Sequence, residues 1–375
     1  MRDIGSLGVE GWQLEVDSVW MRRALALAER GVGRTTPNPV VGACVVTDEG
    51  IVVGQGAHER AGEPHAEVHA LLAAGTRARG ATLYCTLEPC SHTGRTGPCT
   101  ERILAAGIRR VVAAVEDPDP RVSGRGFAFL RAHDVEVVTG MGREAAERLN
   151  APFFTVKRLG RPFVVLKAAT SLDGRLAARP GERTALTSGP ANRYVQYGRC
   201  RVDAIAVGSG TVLVDDPLLT VREIYRERPL ARVVFDRRLR TPPAARLFST
   251  LASGPVIILT SPDSLDVNRD RARALEGAGA TIVAASEAGL APMLRTLVAR
   301  DIQSIVIEGG ASVHAAAWDE GVADCVQLLI APRVIGSGGV PFLDGRHFSP
   351  ATLVDRRVEA RGPDVIIEGY VHRPD

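Results

Sequence analysis

Three residues in the first third of the chain, His65, Cys90 and Cys99, have the types and spacing of zinc ligands. One imidazole and two thiolates suit tetrahedral zinc, and a site with three protein ligands leaves the fourth position for water, as catalysis requires. We therefore predict one catalytic Zn2+ ion per chain, held by these three side chains. The alternative is a structural zinc site, which needs a fourth protein ligand, and that ligand would have to come from His92 or Cys85.

Glu67 follows the histidine by two residues, in the sequence Pro64-His65-Ala66-Glu67. In the middle of a helix such a pair points apart, so we expect it at the first turn of a helix, where the proline also fits. There the carboxylate can reach a water on the metal without being a ligand, and it can move a proton. Glu67 is the predicted catalytic residue. Histidine-x-glutamate followed by two cysteines is the signature of zinc-dependent deaminases, although eight residues separate the cysteines here.

Strands that alternate with helices around these residues predict an α/β/α sandwich. A first helix is expected from Asp17 to a stop at Gly31, and strands are expected over 40–47, 51–54 and 109–115. The motifs HAEVHALLAAG and TERILAAGI have helical periodicity. Cys44 and Cys85 lie in apolar strand segments and are expected to be core residues.

The chain is long enough for two domains. Residues 1–16 are polar and aperiodic and are predicted to be a loose N-terminal extension, followed by a zinc domain over 17–155. A second α/β domain is predicted over 156–375, beginning with the strand FVVLKAAT. Its further strand candidates are AIAVG, ARVVFD, VIILT, IVAA, SIVIEGG and CVQLLIAP.

Two glycine-containing loops follow strands of this second half, one beginning at Gly208 and the other at Glu308. Glycines between a strand and a helix let backbone N–H groups approach a phosphate, although each pair could also be an ordinary turn. The spacing is not G-x-G-x-x-G, so the dinucleotide-binding fingerprint of a Rossmann fold is absent.

The bulk composition excludes several classes of protein. Lys and Arg total 46 and Asp and Glu total 43, with no long basic run, which argues against a nucleic-acid partner. No apolar stretch is long enough for a membrane span, and the N-terminus lacks the pattern of a secretory signal. We expect a cytoplasmic protein with no membrane partner.

The segments TPNPVVG, GEPHAEVHAL, TLEPCSHTGRTGPC and EDPDPRVSGRG, taken in order, closely resemble the bifunctional riboflavin-biosynthesis family. Its members join a diaminohydroxyphosphoribosylaminopyrimidine deaminase to a 5-amino-6-(5-phosphoribosylamino)uracil reductase. The resemblance runs from about Asp17 to near the C-terminus. It implies a cytidine-deaminase-like fold followed by a dihydrofolate-reductase-like fold, zinc and NADPH as cofactors, a small phosphorylated pyrimidine as substrate, and a homo-oligomer.

The same resemblance assigns residues to the two sites. Asn38 would contact the pyrimidine and Arg95 its ribose phosphate; the alternatives are a turn-stabilising asparagine and a solvated charge. In the second half it implies cofactor contacts at Ala169, Ala185, Thr211, Asp215, Arg237, Gly310, Ala311, Ser312, Val313, His314, Ala315 and Ala316. It implies substrate contacts at Lys167, Arg183, Arg199, Leu219, Arg222 and Glu308. Arg199 and Arg222 suit a phosphate group, and Lys167 is either a sugar contact or a strand-end charge.

The chain departs from the family in the second half. Arg183 and Ala185 replace a small hydroxyl residue and a large aromatic one, and Arg237 stands where many members have serine. Arg237 and Arg238 would bind the 2′-phosphate of NADPH or be plain surface charges. These departures leave open an alternative interpretation: the chain is a deaminase that acts on a related pyrimidine and whose second domain is silent or altered. Further alternatives are a tRNA or cytidine deaminase and a zinc-dependent nucleotide sensor; the long cysteine loop and the intact Glu67 argue against these.

Overall fold

The computed structural model describes the backbone of residues 9–91, 97–120 and 122–372, with side chains from Gln13 onward in those ranges. The chain divides into two compact units between Arg158 and Leu159. Each has its own buried apolar cluster. Each unit is therefore described by itself.

The first unit is a five-stranded sheet with helices packed against it. Its strands are β1 (Gly42–Val46), β2 (Val52–Ala57), β3 (Thr82–Cys85), β4 (Arg110–Ala113) and β5 (Glu136–Thr139). Its helices are α1 (Val9–Ala28), α2 (Ala66–Ala74), α3 (Cys99–Ala105), α4 (Arg125–Arg131), α5 (Arg143–Leu149) and α6 (Ala151–Leu159).

The strand order β2-β1-β3-β4-β5 places β1 in the sheet between two antiparallel partners, whereas β3, β4 and β5 run parallel. Every residue of β1, β3 and β4 is buried, as expected for strands covered on both faces. Helix α2 lies directly on β2, where a Cβ on Gly56 would be 2.6 Å from the carbonyl oxygen of Ala66. This close approach fixes the amino end of α2 over the sheet.

Helix α1 begins at Val9, not at Asp17. The expectation of a loose extension over 1–16 is therefore wrong for residues 9–16, which are helical. Asp17 is therefore not the acidic start of the helix but a buried residue within it. Its carboxylate accepts two hydrogen bonds from Arg110, at 2.9 and 2.8 Å, and a third from the hydroxyl of Tyr84. The burial of this carboxylate is explained by its pairing with residues that are distant in the sequence, and local sequence does not show such pairing.

The segment after β5 forms two helices that meet at Asn150. The side chain of Asn150 accepts a hydrogen bond from the backbone N–H of Val40 and donates one to its carbonyl, at 2.8 and 2.9 Å. These two bonds hold the backbone that follows the Thr-Pro-Asn-Pro turn.

The second unit is built on a nine-stranded sheet. The sheet strands are β6 (Phe163–Ser171), β8 (Ala204–Gly208), β9 (Ala231–Phe235), β10 (Val256–Thr260), β11 (Ala280–Ala284), β12 (Ser304–Ile307), β13 (Cys325–Ala331), β15 (Val354–Arg361) and β16 (Asp364–Tyr370). A small ribbon pairs β7 (Arg175–Ala177) with β14 (Val340–Pro341). The helices are α7 (Gly189–Cys200), α8 (Ser209–Asp215), α9 (Pro262–Val267), α10 (Arg269–Gly277), α11 (Leu290–Val298) and α12 (Ala311–Asp319).

The strand order of this sheet is β11-β10-β9-β8-β12-β6-β13-β16-β15. The first seven strands in that order are parallel, and β16 and β15 add an antiparallel edge. The seven strands predicted from the sequence are these parallel strands; β15 and β16 were not predicted. Strand β12 lies between β6 and β8 although it comes much later in the chain. In open α/β sheets such reversals of strand order mark the ligand crevice, at the carboxyl ends of the strands.

None of the helices in the described ranges combines the length and the apolar character that crossing a membrane would need.

Candidate active sites

The three predicted zinc ligands lie together at the amino ends of α2 and α3. His65 immediately precedes α2, and Cys99 is the first residue of α3. Their ligand atoms and the Sγ of Cys90 all lie within 4.8 Å of one another. The Nδ1 atom of His65 is 3.3 Å from the Cys99 sulfur and 3.6 Å from the Cys90 sulfur, so Nδ1 is the ring nitrogen that would bind a metal. The geometry suits a single small cation.

Glu67 lies in the first turn of α2, as its spacing from His65 predicts. Its side chain is buried, and Oε2 has no hydrogen-bond partner in the described part of the chain. Burial raises the pKa of this carboxyl. A buried oxygen without a partner calls for a group that the chain itself does not supply, such as a water or a substrate held on a metal. The residues present therefore fit a catalytic zinc ion.

A structural zinc site is not supported by the described residues. Cys85 is buried in β3 and is not part of the ligand cluster, and its pKa is raised by burial. Cys44 is likewise a buried core residue. His92 lies outside the described residues, as does Arg95, the predicted ligand of the substrate phosphate.

The loop that carries Cys90 is held by Glu88, a buried residue two positions earlier. The backbone N–H groups of Gly124 and Gly126 donate to the Glu88 carboxylate at 2.9 and 2.8 Å. A Cβ on Gly126 would lie 2.1 Å from the carbonyl oxygen of Pro89, so only glycine fits there. The start of α4 thus fixes the ligand loop, a role that the sequence motif alone did not indicate.

The side chain of Asn38 reaches the metal-ligand cluster through His58. The Nδ2 group of Asn38 lies 3.0 Å from Nε2 of His58, and Nδ1 of His58 lies 3.1 Å from the carbonyl oxygen of Pro64. The His58 ring packs edge-on against the ring of His65, with centroids 5.4 Å apart. Sequence reasoning missed His58, because a single histidine outside any motif gives no signal.

A cavity of about 760 Å³ opens at the carboxyl ends of β6, β12, β8 and β9 in the second unit. This volume lies in the range of small-molecule pockets. Many of the residues predicted for the second site line it, namely Lys167, Ala169, Arg183, Thr211, Asp215, Arg237, Glu308, Gly310, Ala311, Ser312, Val313 and Ala316.

The remaining predicted residues of the second site do not line this cavity: Ala185, Arg199, Leu219, Arg222, His314 and Ala315. Residues 310–316 were predicted as a continuous stretch, but all except Gly310 lie in α12, and a helix presents only one side to a pocket. His314 and Ala315 are buried on the other side, where Nε2 of His314 donates to the carbonyl oxygen of Ile307 at 3.1 Å. Leu219 is also buried, while Ala185 and Arg222 are exposed.

Arg199, Glu308 and Lys167 form a group of charges at the inner end of the cavity, where Glu308 and Lys167 line it and Arg199 pairs with Glu308 from outside the lining. Arg199 donates two hydrogen bonds to the Glu308 carboxylate, both 2.8 Å long, and a third to the carbonyl oxygen of Thr220. The Lys167 ammonium is 3.8 Å from the same carboxylate. Burial alone would raise the pKa of Glu308, but the charges of Lys167 and Arg199 outweigh it and hold the value at about 2. Burial lowers the pKa of Lys167.

Three arginines follow β9 at the other end of the cavity. Arg237 and Arg238 are exposed, line the cavity, and pair with no carboxylate in the described ranges. Arg240 also lines it and donates to Ser209 Oγ at 3.0 Å. A cavity with glycine loops on one wall and free guanidinium groups at its mouth fits a ligand that carries several phosphates, as NADPH does.

Comparison with known proteins identifies a family domain in each half of the chain. Residues 14–115 match the cytidine and deoxycytidylate deaminase zinc-binding region, and residues 162–367 match the RibD C-terminal domain. The riboflavin biosynthesis protein RibD of Aquifex aeolicus (strain VF5) is 39% identical over 94% of this chain and 98% of its own length. That of Escherichia coli (strain K12) is 40% identical over 94% and 98%. The chain belongs to the RibD family.

Solved structures of RibD proteins have the same fold. A structure of Acinetobacter baumannii RibD superposes with a TM-score of 0.83 at 33% identity, covering 96% of this chain and all of that one. A Thermotoga maritima structure described as a diaminohydroxyphosphoribosylaminopyrimidine deaminase/5-amino-6-(5-phosphoribosylamino)uracil reductase gives 0.81 at 34% identity, covering 96% and 99%. Like other RibD proteins, this chain joins a zinc-dependent deaminase domain of cytidine-deaminase type to an NADPH-dependent reductase domain.

Proposed function

We propose that this chain catalyses two consecutive steps of riboflavin biosynthesis on one phosphorylated pyrimidine. The first is hydrolytic deamination of 2,5-diamino-6-ribosylamino-4(3H)-pyrimidinone 5′-phosphate, and the second is reduction of the ribose to a ribityl chain. The observation that carries the proposal is the buried, unpartnered Oε2 of Glu67 beside three zinc-ligand atoms, in a chain that also holds the reductase cavity.

In the deamination step, His65, Cys90 and Cys99 would hold the zinc ion. Zinc supplies Lewis-acid activation of water when it is bound. Oε2 of Glu67 takes the proton from the attacking water and delivers it to the departing ammonia. Asn38 orients the pyrimidine ring, and Arg95 is proposed to bind its phosphate.

In the reduction step, NADPH would supply a hydride to the sugar carbon C1. The bond between C1 and the ring oxygen breaks and that oxygen takes a proton, which opens the ribose to the ribityl chain. Lys167 and Glu308 lie close together at the inner end of the cavity, where they can hold the sugar hydroxyl groups. Because Glu308 already accepts two hydrogen bonds from Arg199, we propose that Arg199 orients this carboxylate and does not bind the substrate phosphate. That leaves Arg183, which lines the cavity, and the exposed Arg222 as candidates for the phosphate.

The order of the strands supports one direction for the cofactor. From β6 to β9 the cavity crosses three strand spacings, about 14 Å, which suits an extended dinucleotide. We propose that the nicotinamide lies near Lys167 and Ala169 at the β6 end. The adenosine 2′-phosphate then lies beside Arg237 and Arg238, after β9.

Both activities can be tested in one sample by following ammonia release and NADPH oxidation after adding the diaminopyrimidine ribosyl phosphate. We expect ammonia to appear before NADPH is oxidised. Glu67→Gln should slow ammonia release by roughly 10²- to 10⁴-fold and stop NADPH oxidation with it, because the second step lacks its substrate. Adding the deaminated intermediate should restore NADPH oxidation.

The matched control is Glu101→Gln, which changes an exposed glutamate in the first turn of α3 and should leave both rates unchanged. Ammonia release without any NADPH oxidation would contradict the reductase assignment and favour a silent or altered second domain. Unchanged ammonia release in Glu67→Gln would contradict the role of Glu67.

We also propose that the enzyme works in the cytoplasm and forms a homo-oligomer. None of the six cysteines, all of which lie in the described ranges, forms a disulfide bond, which suits a reducing compartment. The homo-oligomer rests on the family resemblance alone, and analytical ultracentrifugation of the purified chain measures it directly.

A further inference from the structure

His58 is a buried histidine whose two ring nitrogens are both engaged inside the protein. Nδ1 lies 3.1 Å from the carbonyl oxygen of Pro64, and because a carbonyl can only accept, Nδ1 carries the proton. Nε2 lies 3.0 Å from the Nδ2 group of Asn38, which can only donate, so Nε2 accepts. The ring therefore has no nitrogen left for a ligand.

This arrangement decides which end of the Asn38 amide is free. One of the two amide N–H groups donates to His58, which fixes the orientation of the amide, and Oδ1 makes no hydrogen bond within the described part of the chain. The backbone of Asn38 is itself fixed, because its N–H donates to the carbonyl of Thr35 at 2.8 Å and its carbonyl accepts from the Thr35 hydroxyl at 3.1 Å. With the backbone fixed, the remaining freedom of Asn38 is rotation of its side-chain amide, and the hydrogen bond to His58 prevents that rotation.

We infer that His58 is a positioning residue that holds the Asn38 amide so that Oδ1 accepts a hydrogen bond from an N–H group of the pyrimidine. The ring contact between His58 and His65 places this acceptor beside the metal-ligand cluster. A rotated amide would present N–H to the N–H donors of an aminated pyrimidine, and the two donors would oppose each other. The inference rests on the deaminase function proposed above.

A double-mutant cycle on the full-length, zinc-loaded protein tests this. The variants are Asn38→Ala, His58→Phe and the two combined, with KM and kcat for ammonia release and the zinc content measured for each. Each single variant should raise KM roughly tenfold, because one hydrogen bond to the substrate is lost or misdirected, and should leave kcat within about twofold. The double variant should be no worse than Asn38→Ala, because His58 acts only through Asn38.

The control is His133→Phe, an exposed histidine whose Nδ1 also lies close to a backbone carbonyl, and it should change nothing. If His58→Phe does not fold, His58→Gln is used, since its amide can still accept from Asn38; it should restore most of the affinity. Effects that multiply to about a hundredfold in the double variant would overturn the inference, because His58 would then act on the substrate independently. Loss of zinc from His58→Phe but not from Asn38→Ala would also overturn the inference, because His58 would then act on the metal site. Failure of the wild-type protein to release ammonia would instead refute the proposed function.

Discussion

Replacing Glu308 by glutamine would remove the negative charge from a buried group of three charged side chains. Glutamine has the same shape, so the packing is preserved while the charge and one acceptor oxygen are lost. Arg199 would keep its bond to the carbonyl of Thr220. Of its two bonds to Glu308, one would be lost because the amide NH2 group cannot accept, and the other would lose its charge assistance. Lys167, which lies 3.8 Å from that carboxylate, would then face Arg199 with no counter-charge between them.

The size of the effect follows from the pKa of Glu308. It lies at about 2, against 4.5 for an unperturbed glutamate, and at 1.36 kcal/mol per pH unit this difference is worth about 3 kcal/mol. Breaking a buried ion pair by removing one partner costs roughly 3–5 kcal/mol, which agrees. For a domain of this size such a loss lowers the melting temperature by about 6–12 °C.

The stabilisation must also depend on pH in a defined way. Because the pKa of Glu308 is depressed in the folded state, its contribution is fully present above about pH 4.5 and is lost as the pH falls towards 2. The difference in unfolding free energy between the wild type and Glu308→Gln should therefore be constant near neutral pH. It should shrink progressively below pH 4.5.

Calorimetry of the full-length chain measures this, and added NADPH identifies the transition of the reductase unit because a ligand raises the melting temperature of the unit that binds it. The control is Glu182→Gln, which removes another cavity-lining glutamate. Its partner Arg179 is 3.5 Å away and the two side chains are 55 and 75% exposed, so less than about 1 kcal/mol should be lost. A Glu308→Gln protein within 1 kcal/mol of the wild type at pH 7 would refute the charge-balance argument.

Three further predictions concern the ligand sites. Removing zinc with a chelator should abolish ammonia release but leave NADPH binding unchanged in a fluorescence titration; loss of NADPH binding would mean that the metal supports more than the deaminase. Gly126→Ala should lower zinc occupancy, because the new Cβ would lie 2.1 Å from the Pro89 carbonyl, whereas Gly277→Ala, in open space on α10, should keep it. Full zinc occupancy in Gly126→Ala would show that the ligand loop can shift. Combined Arg237→Ser and Arg238→Ser should weaken NADPH binding roughly 10- to 100-fold and leave NADH binding unchanged; equal weakening of both cofactors would place the 2′-phosphate elsewhere.

Local sequence was sufficient for the metal site, because its parts are close in the chain and carry their chemistry in their residue types. His65 and Glu67 share one helical turn, and the two cysteines flank a single loop. The parallel strands of the second unit were also predictable, because continuous apolar runs are typical of strands buried on both faces.

Long-range pairing accounts for what could not be predicted. The sequence suggested that Arg199 binds a phosphate, but 109 positions separate it from Glu308, the carboxylate that it contacts. His58 gains its role only when the fold brings it against Asn38 and His65. Strand β15 was missed because most of its residues are exposed and charged, so it has no apolar pattern.

The insertion of β12 between β6 and β8 affects how the second unit is made on the ribosome. Strands β6 and β8 end 133 and 96 residues, respectively, before the strand that joins them begins, and until then each exposes an unpaired apolar edge. Pairings over such distances in sequence form slowly, and exposed edges favour aggregation in the meantime. A nascent chain that stops before Ser304 would therefore lack the middle of its sheet. The demand for chaperones should be greatest while the segment between β8 and β12 is translated.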